Sequence, residues 1–228
     1  MSATRKSRPA VLLFDVNETL LDLAPLEESI TNVLLDEGGA KLWFTTMLQY
    51  SLVMTVSGEY RPLSEVGVAT LQMLARNREV VLSDVDAARA LHPMRSLPPH
   101  PEVCSALTSL KEAGFRLATL TNSSQSGVKV QMENAGLSSL FERELSVDSI
   151  RKYKPHRDVY LWAAAEMSVR ANECMLVAAH GWDVGGAKWA GLQAAFIGRG
   201  GQQLFPVAPS PDIHVADLSG LVREMLQV

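Results

Sequence analysis

Cysteine is nearly absent: Cys104 and Cys174 are the only two in 228 residues. Thiols so few and so far apart exclude a disulfide scaffold and a four-ligand zinc site, and both read as buried thiols. Long apolar runs are missing too. After a basic opening that ends at Arg8, the first apolar stretch is only residues 10–14 before Asp15 interrupts it. That is too short for a signal peptide or a membrane span, so the expectation is a cytoplasmic protein with no membrane partner. Positive charge is scarce, with 21 Lys and Arg against 25 Asp and Glu and a net charge of −4. Without a broad basic field, nucleic-acid binding has little electrostatic support, and a small molecule is the expected partner. What is present is ordinary globular composition: 47% hydrophobic and 20% charged residues, with 15 Gly and 11 Pro spread along the chain. This excludes collagen-like and low-complexity chains, and the length suits one domain or a core with a modest insertion.

The apolar run at 10–14 ends at Asp15, a run at 116–121 ends at Asn122, and a run at 175–179 ends at His180. Short continuous apolar runs of this kind are strands buried on both faces of a parallel sheet. Helix-like stretches lie between them at 102–113, 126–135 and 157–167, the first two closed by Gly114 and Gly136. Alternation of this kind predicts an α/β, doubly wound, mostly parallel sheet, with polar strand-end residues converging on one crevice. Residues 22–97 break the alternation with amphipathic stretches at 26–35, 41–56, 63–75 and 85–91. They read as a helical cap inserted after the first strand, leaving 1–21 and 98–228 as the core. A last short strand near 212–218 and a closing helix over 219–226 complete the reading.

Four motifs at strand ends then stand in order. They are Asp15-Val-Asn-Glu-Thr19, Thr121-Asn122-Ser123, Tyr153-Lys154-Pro155 leading to Tyr160, and His180-Gly-Trp182-Asp183. Together they resemble the haloacid dehalogenase superfamily, and within it the type II 2-haloacid dehalogenases, over nearly the whole chain. The resemblance implies a hydrolase that cleaves the carbon–halogen bond of short 2-haloalkanoic acids through an ester on Asp15, giving 2-hydroxy acids without cofactor or metal. A carboxylate can displace a halide from an sp3 carbon, and water can then cleave the ester at the enzyme's own carbonyl. Lys154 would keep Asp15 ionised, Thr19 would hold it, and Asp183 would orient or activate water. Thr121, Asn122, His180, Asn17, Phe44, Tyr160 and Trp182 are the expected substrate contacts. Taken singly, each has a plainer reading: a turn residue, a core aromatic or a solvated lysine.

Two departures separate this chain from the magnesium-dependent phosphatases of the superfamily. Their second acid in the first motif is Asn17 here, and an amide cannot protonate a leaving group. The residue four before Asp183, where they carry an acid, is Ala179. A magnesium phosphatase and a non-catalytic binding protein on the same scaffold are the alternatives. A third departure concerns the cap, where the relatives often follow a Trp with an Arg that grips the substrate. Here Trp43 precedes Phe44, and Lys41 and Arg61 are the nearby candidates to replace that Arg. The apolar residues on the same stretch also offer the surface of a two-fold homodimer.

Overall fold

The structure, a computed structural model, describes residues 8–227. Four strands come first in the sheet: β1 (Val11–Phe14), β2 (Arg116–Thr121) and β4 (Cys174–Ala178) at its centre and β3 (Arg143–Ser146) at one edge. β5 (Gln193–Ile197) and β6 (Ile213–Val215) extend it on one side. Among the described residues the order is β3-β2-β1-β4-β5-β6, and every neighbouring pair is parallel. β1 lies between β2 and β4 with all four of its side chains fully buried, each contributing ~1.5–3 kcal/mol of hydrophobic stabilisation. This central position explains why residues 11–14 form an unbroken apolar run: neither face of the strand meets water.

Between β1 and β2 come α1 (Ala24–Leu34), α2 (Gly39–Val56), α3 (Leu63–Arg76) and α4 (Asp84–Ala90), then α5 (Val103–Glu112). Pro25 starts α1, where a missing N–H costs nothing, and Ser83 caps α4 by accepting from the Asp86 N–H. The segment after β1 and the segment before α5 meet at one place. The Asp22 N–H donates to the Pro98 carbonyl at 2.8 Å and the His100 N–H to that of Leu20 at 3.0 Å. These two bonds tie residues 20–22 to residues 98–100. The remaining helices are α6 (Gln125–Asn134), α7 (Arg157–Glu166), α8 (Gly181–Ala190) and α9 (Leu218–Leu226).

Cys174 is buried, as expected, but Cys104 is exposed, because α5 turns Val103, Ala106, Leu107 and Leu110 inward and leaves position 104 on its outer face. Among the described residues no helix is long and apolar enough to cross a membrane.

Candidate active site

Every charged group of the site stands just beyond the carboxyl end of a strand, where parallel sheets open a crevice. Asp15 follows β1, Thr121 and Asn122 close β2, Lys154 lies between β3 and α7, and His180 leads from β4 into α8. Asp183 sits in the first turn of α8, where the helix dipole favours an anion.

Lys154 is the hub. Its ammonium is 1% exposed and spends all three hydrogens: on Asp15 Oδ1 at 2.8 Å, Asp183 Oδ2 at 2.6 Å and the Leu120 carbonyl at 2.8 Å. A buried cation is tolerable only when satisfied in this way. Its backbone is fixed as well, because the Lys154 N–H donates to Asn122 Oδ1 at 2.9 Å. That bond assigns the orientation of the Asn122 amide and leaves its Nδ2 buried with no partner in the protein.

The other oxygen of Asp15, Oδ2, accepts from the Thr19 hydroxyl at 2.7 Å and lies 3.2 Å from His180 Nδ1. Thr19 Oγ1 in turn accepts from the Ala179 N–H at 2.9 Å, tying the loop after β1 to the end of β4. Burial by itself would raise the Asp15 carboxyl, but the Lys154 ammonium and the His180 hydrogen bond outweigh it and hold the group well below the usual carboxylate range. Asp183 goes the other way, pushed up by burial and by the Asp15 charge against the pull of Lys154. Its Oδ1 accepts from the Tyr160 hydroxyl at 2.6 Å, and Tyr160 is held protonated by its own burial and by Asp183. Burial would likewise lower Lys154, yet the two carboxylates raise it, so it stays charged.

His180 has a carboxylate at each ring nitrogen, Asp15 at Nδ1 and Glu18 Oε2 at Nε2 at 2.8 Å. Burial opposes its charge, but those bonds win and raise its pKa to about 9. Phe44 and Trp182 stack against its ring, with centroids 5.7 and 5.2 Å away. Glu18 was not among the residues expected from sequence. It adopts φ 67°, a left-handed conformation uncommon for a non-glycine residue, and Gln202 holds its Oε1 at 2.8 Å. Its acidic type inside the first motif is the one signal that could have marked it.

Beside this cluster lies a cavity of about 920 Å³. Lys154, His180, Trp182 and Phe44 line it, together with apolar side chains of α1 and α2 such as Leu26, Trp43 and Leu52. Asp15 is 5% exposed and is not itself a lining residue, but it contacts two residues that are, Lys154 and His180. Four expected substrate contacts are not lining residues. Thr121 Oγ1 accepts from the Ser123 N–H, and Asn122 braces Lys154. Asn17 bridges Ser123 and Gln131, and Tyr160 is tied to Asp183. Of the two cations considered for the cap, Lys41 lines the cavity. Arg61 lines a different, smaller pocket, and its carbonyl accepts from the Tyr153 hydroxyl.

Residues 9–191 match the family of haloacid dehalogenase-like hydrolases. The chain belongs to that family. Among relatives of this haloacid dehalogenase-like hydrolase, haloacetate dehalogenase H-2 of Moraxella sp. (strain B) is 29% identical over 93% of this chain and 96% of that protein. An (S)-2-haloacid dehalogenase of Pseudomonas sp. (strain YL) is 26% identical over 93% of this chain and 92% of its own length. The crystal structure of an L-2-haloacid dehalogenase, 26% identical, superposes with a TM-score of 0.90, covering 96% of this chain and all of that one. The type II resemblance read from the four motifs therefore holds along nearly the whole chain.

A magnesium ion, which the phosphatases of this superfamily use, does not fit these donors. The place between Asp15 and Asp183 is taken by the Lys154 ammonium, and among the described residues no three His, Cys, Asp or Glu side chains are grouped to hold a metal.

Proposed function

We propose that this hydrolase cleaves the carbon–halogen bond of 2-haloalkanoic acids, with Asp15 as nucleophile and a 2-hydroxy acid as product. One observation carries the reading: Asp15 is ionised, nearly dry and held by Lys154, Thr19 and His180 beside an apolar cavity. Stripped of water and fixed in direction, a carboxylate attacks carbon far better than one in solution. The names of the relatives, which specify haloacetate and (S)-2-haloacid substrates, support the same class.

In this mechanism an Asp15 oxygen attacks the halogen-bearing carbon in line and expels halide, and water then cleaves the ester at Asp15 Cγ. Lys154 keeps the nucleophile charged, Thr19 holds Oδ2, and Asp183 with Tyr160 holds Lys154 in place. Asn122, outside the cavity lining, holds the Lys154 backbone in place through its Oδ1. Lys41 supplies the positive charge that an Arg supplies on the cap of many relatives. Residues 22–97 act as the cap, and 1–21 with 98–228 as the core. The apolar side chains exposed on α2, Leu42, Tyr50 and Val53 among them, form part of a two-fold dimer in a cytoplasmic enzyme, which sedimentation equilibrium tests.

A phosphatase has nothing comparable in its favour, since Asn17 cannot titrate and Ala179 stands where those enzymes carry an acid. The deciding experiment is a single turnover of 2-chloropropionate in 18O-labelled water, with isotope read in the Asp15 peptide and halide in solution. Label enters Asp15 on this mechanism. Halide release that persists in Asp15→Ala rejects it.

A further inference from the structure

We propose that His180, oriented by Glu18, is the general base that activates water for hydrolysis of the Asp15 ester. The inference rests on Asp15 being the nucleophile and assigns the second half of the reaction. Asp183, the residue expected from sequence for that task, is fully engaged: Lys154 occupies Oδ2, Tyr160 occupies Oδ1, and the side chain is wholly buried away from the cavity lining. His180 lines the cavity, and its Nδ1 lies 3.2 Å from the oxygen of the carboxylate that becomes the ester. Stacking against Phe44 and Trp182 fixes the plane of its ring. Glu18 is placed for this purpose, with a left-handed backbone and one oxygen on Gln202, so that the other meets Nε2 at 2.8 Å. Sparsely populated backbone conformations persist where the surroundings enforce them, often at functional sites.

The proton inventory closes. In the free enzyme both ring nitrogens face carboxylates, and the imidazole is a cation that donates to each. Attack by Asp15 on the halogen-bearing carbon forms a C–O bond, breaks the carbon–halogen bond and releases halide. Asp15 is now a neutral ester, so the cation has lost one of its two anionic partners. The proton on Nδ1 departs to solvent, and it is the one proton that hydrolysis of a carbon–halogen bond must liberate. The neutral ring keeps Nε2–H on Glu18 and turns its lone pair at Nδ1 toward the ester. It takes a proton from water as the water oxygen bonds to Asp15 Cγ, then returns that proton to the departing alkoxide as the Cγ–O bond breaks. Asp15 is left as a carboxylic acid that hands its proton to Nδ1, restoring the starting state. The charged groups facing His180 are Asp15 and Glu18, with the Lys154 ammonium on the other oxygen of Asp15. Glu18 acts through His180 and is a positioning residue.

Rapid-quench halide measurement paired with intact-protein mass, using 2-bromopropionate, tests the assignment. His180→Asn should release one halide per site, gain the mass of a carboxyethyl group and then hydrolyse that adduct ~10²–10⁴-fold more slowly than wild type. Glu18→Gln should keep the halide burst and slow breakdown of the adduct about tenfold or more, with the pH profile of that step displaced. Added imidazole should restore breakdown in His180→Ala. The dyad alone is overturned if His180→Asn turns over its adduct at the wild-type rate, or if the folded variant shows no burst. Should His180→Asn not fold, Glu18→Gln decides, and unchanged adduct breakdown in it rejects the dyad. A wild-type protein that neither releases halide nor carries an adduct overturns the nucleophile assignment and the dyad with it.

Discussion

Replacing Lys154 with Met keeps most of the side-chain stem and removes the ammonium that joins two buried carboxylates. At 2.8 and 2.6 Å, each contact represents a gross attraction of ~6 kcal/mol at an effective dielectric of about 20. Most of that is offset by desolvating three charges, so the gross figure is not the expected loss. Removing one partner of a buried ionic cluster costs ~3–5 kcal/mol, because the remaining charges lose their compensation. Here two carboxylates are stranded, 5% and 0% exposed, which favours the upper end. For a domain of this size that loss lowers Tm by ~6–20 °C. The chain relieves part of the repulsion by protonating a carboxylate, which silences the nucleophile near neutral pH. Urea denaturation gives the stability, and rapid-quench halide release gives the burst. Adding Asp183→Asn to Lys154→Met should recover part of the stability and none of the burst. A Lys154→Met protein within ~1 kcal/mol of wild type, or one with a full burst near pH 7, refutes the view of Lys154 as the electrostatic hub.

Four further outcomes are expected. The folded chain binds the His180 proton more tightly than the unfolded chain, with a pKa of about 9 against ~6.5. That contribution, ~3 kcal/mol, is present in full below about pH 6.5 and is lost as the pH rises through about 9, so urea titrations of His180→Asn should be flatter in that window. Asp15, whose carboxyl is lowered, adds stability above the ordinary carboxylate range that disappears on acidification. The cavity of about 920 Å³ far exceeds what a haloacetate fills, so KM should fall about fourfold per added methylene from 2-bromopropionate to 2-bromooctanoate, at ~0.8 kcal/mol each, and a flat series contradicts it. In Gly186→Ala the new Cβ would stand 2.5 Å from both Pro155 Cβ and the Tyr160 hydroxyl, costing ~1–3 kcal/mol and moving Tyr160 off Asp183; unchanged Tm and kcat argue against it.

The strands at the centre of the sheet were legible because burial on both faces writes an unbroken apolar run. β3, which carries Arg143 and Glu144, lacks that signature, and pairing with β2 rather than local preference makes it a strand, whereas β5 has a short buried apolar run at 194–197 that the sequence reading passed over. The helices between β1 and α5 were legible from their amphipathic spacing. The members of the buried cluster around Lys154 could be named from the order of the motifs, but not their surroundings. A lysine before a proline reads as solvated, and only the convergence of Asp15, Leu120 and Asp183 from three strand ends buries Lys154. Glu18 escaped because its importance lies in a backbone angle and in a histidine 162 residues away.

The groups around the Asp15 carboxylate come from the strand ends, whereas much of the apolar lining comes from α1 and α2. On the proposed function, appetite and reactivity are thus encoded in largely separable stretches of the gene. A handful of codon changes along one helix that spare Phe44, which stacks on His180, can retune which molecule is accepted, and a graft of residues 24–56 that keeps Phe44 should carry a relative's taste with it.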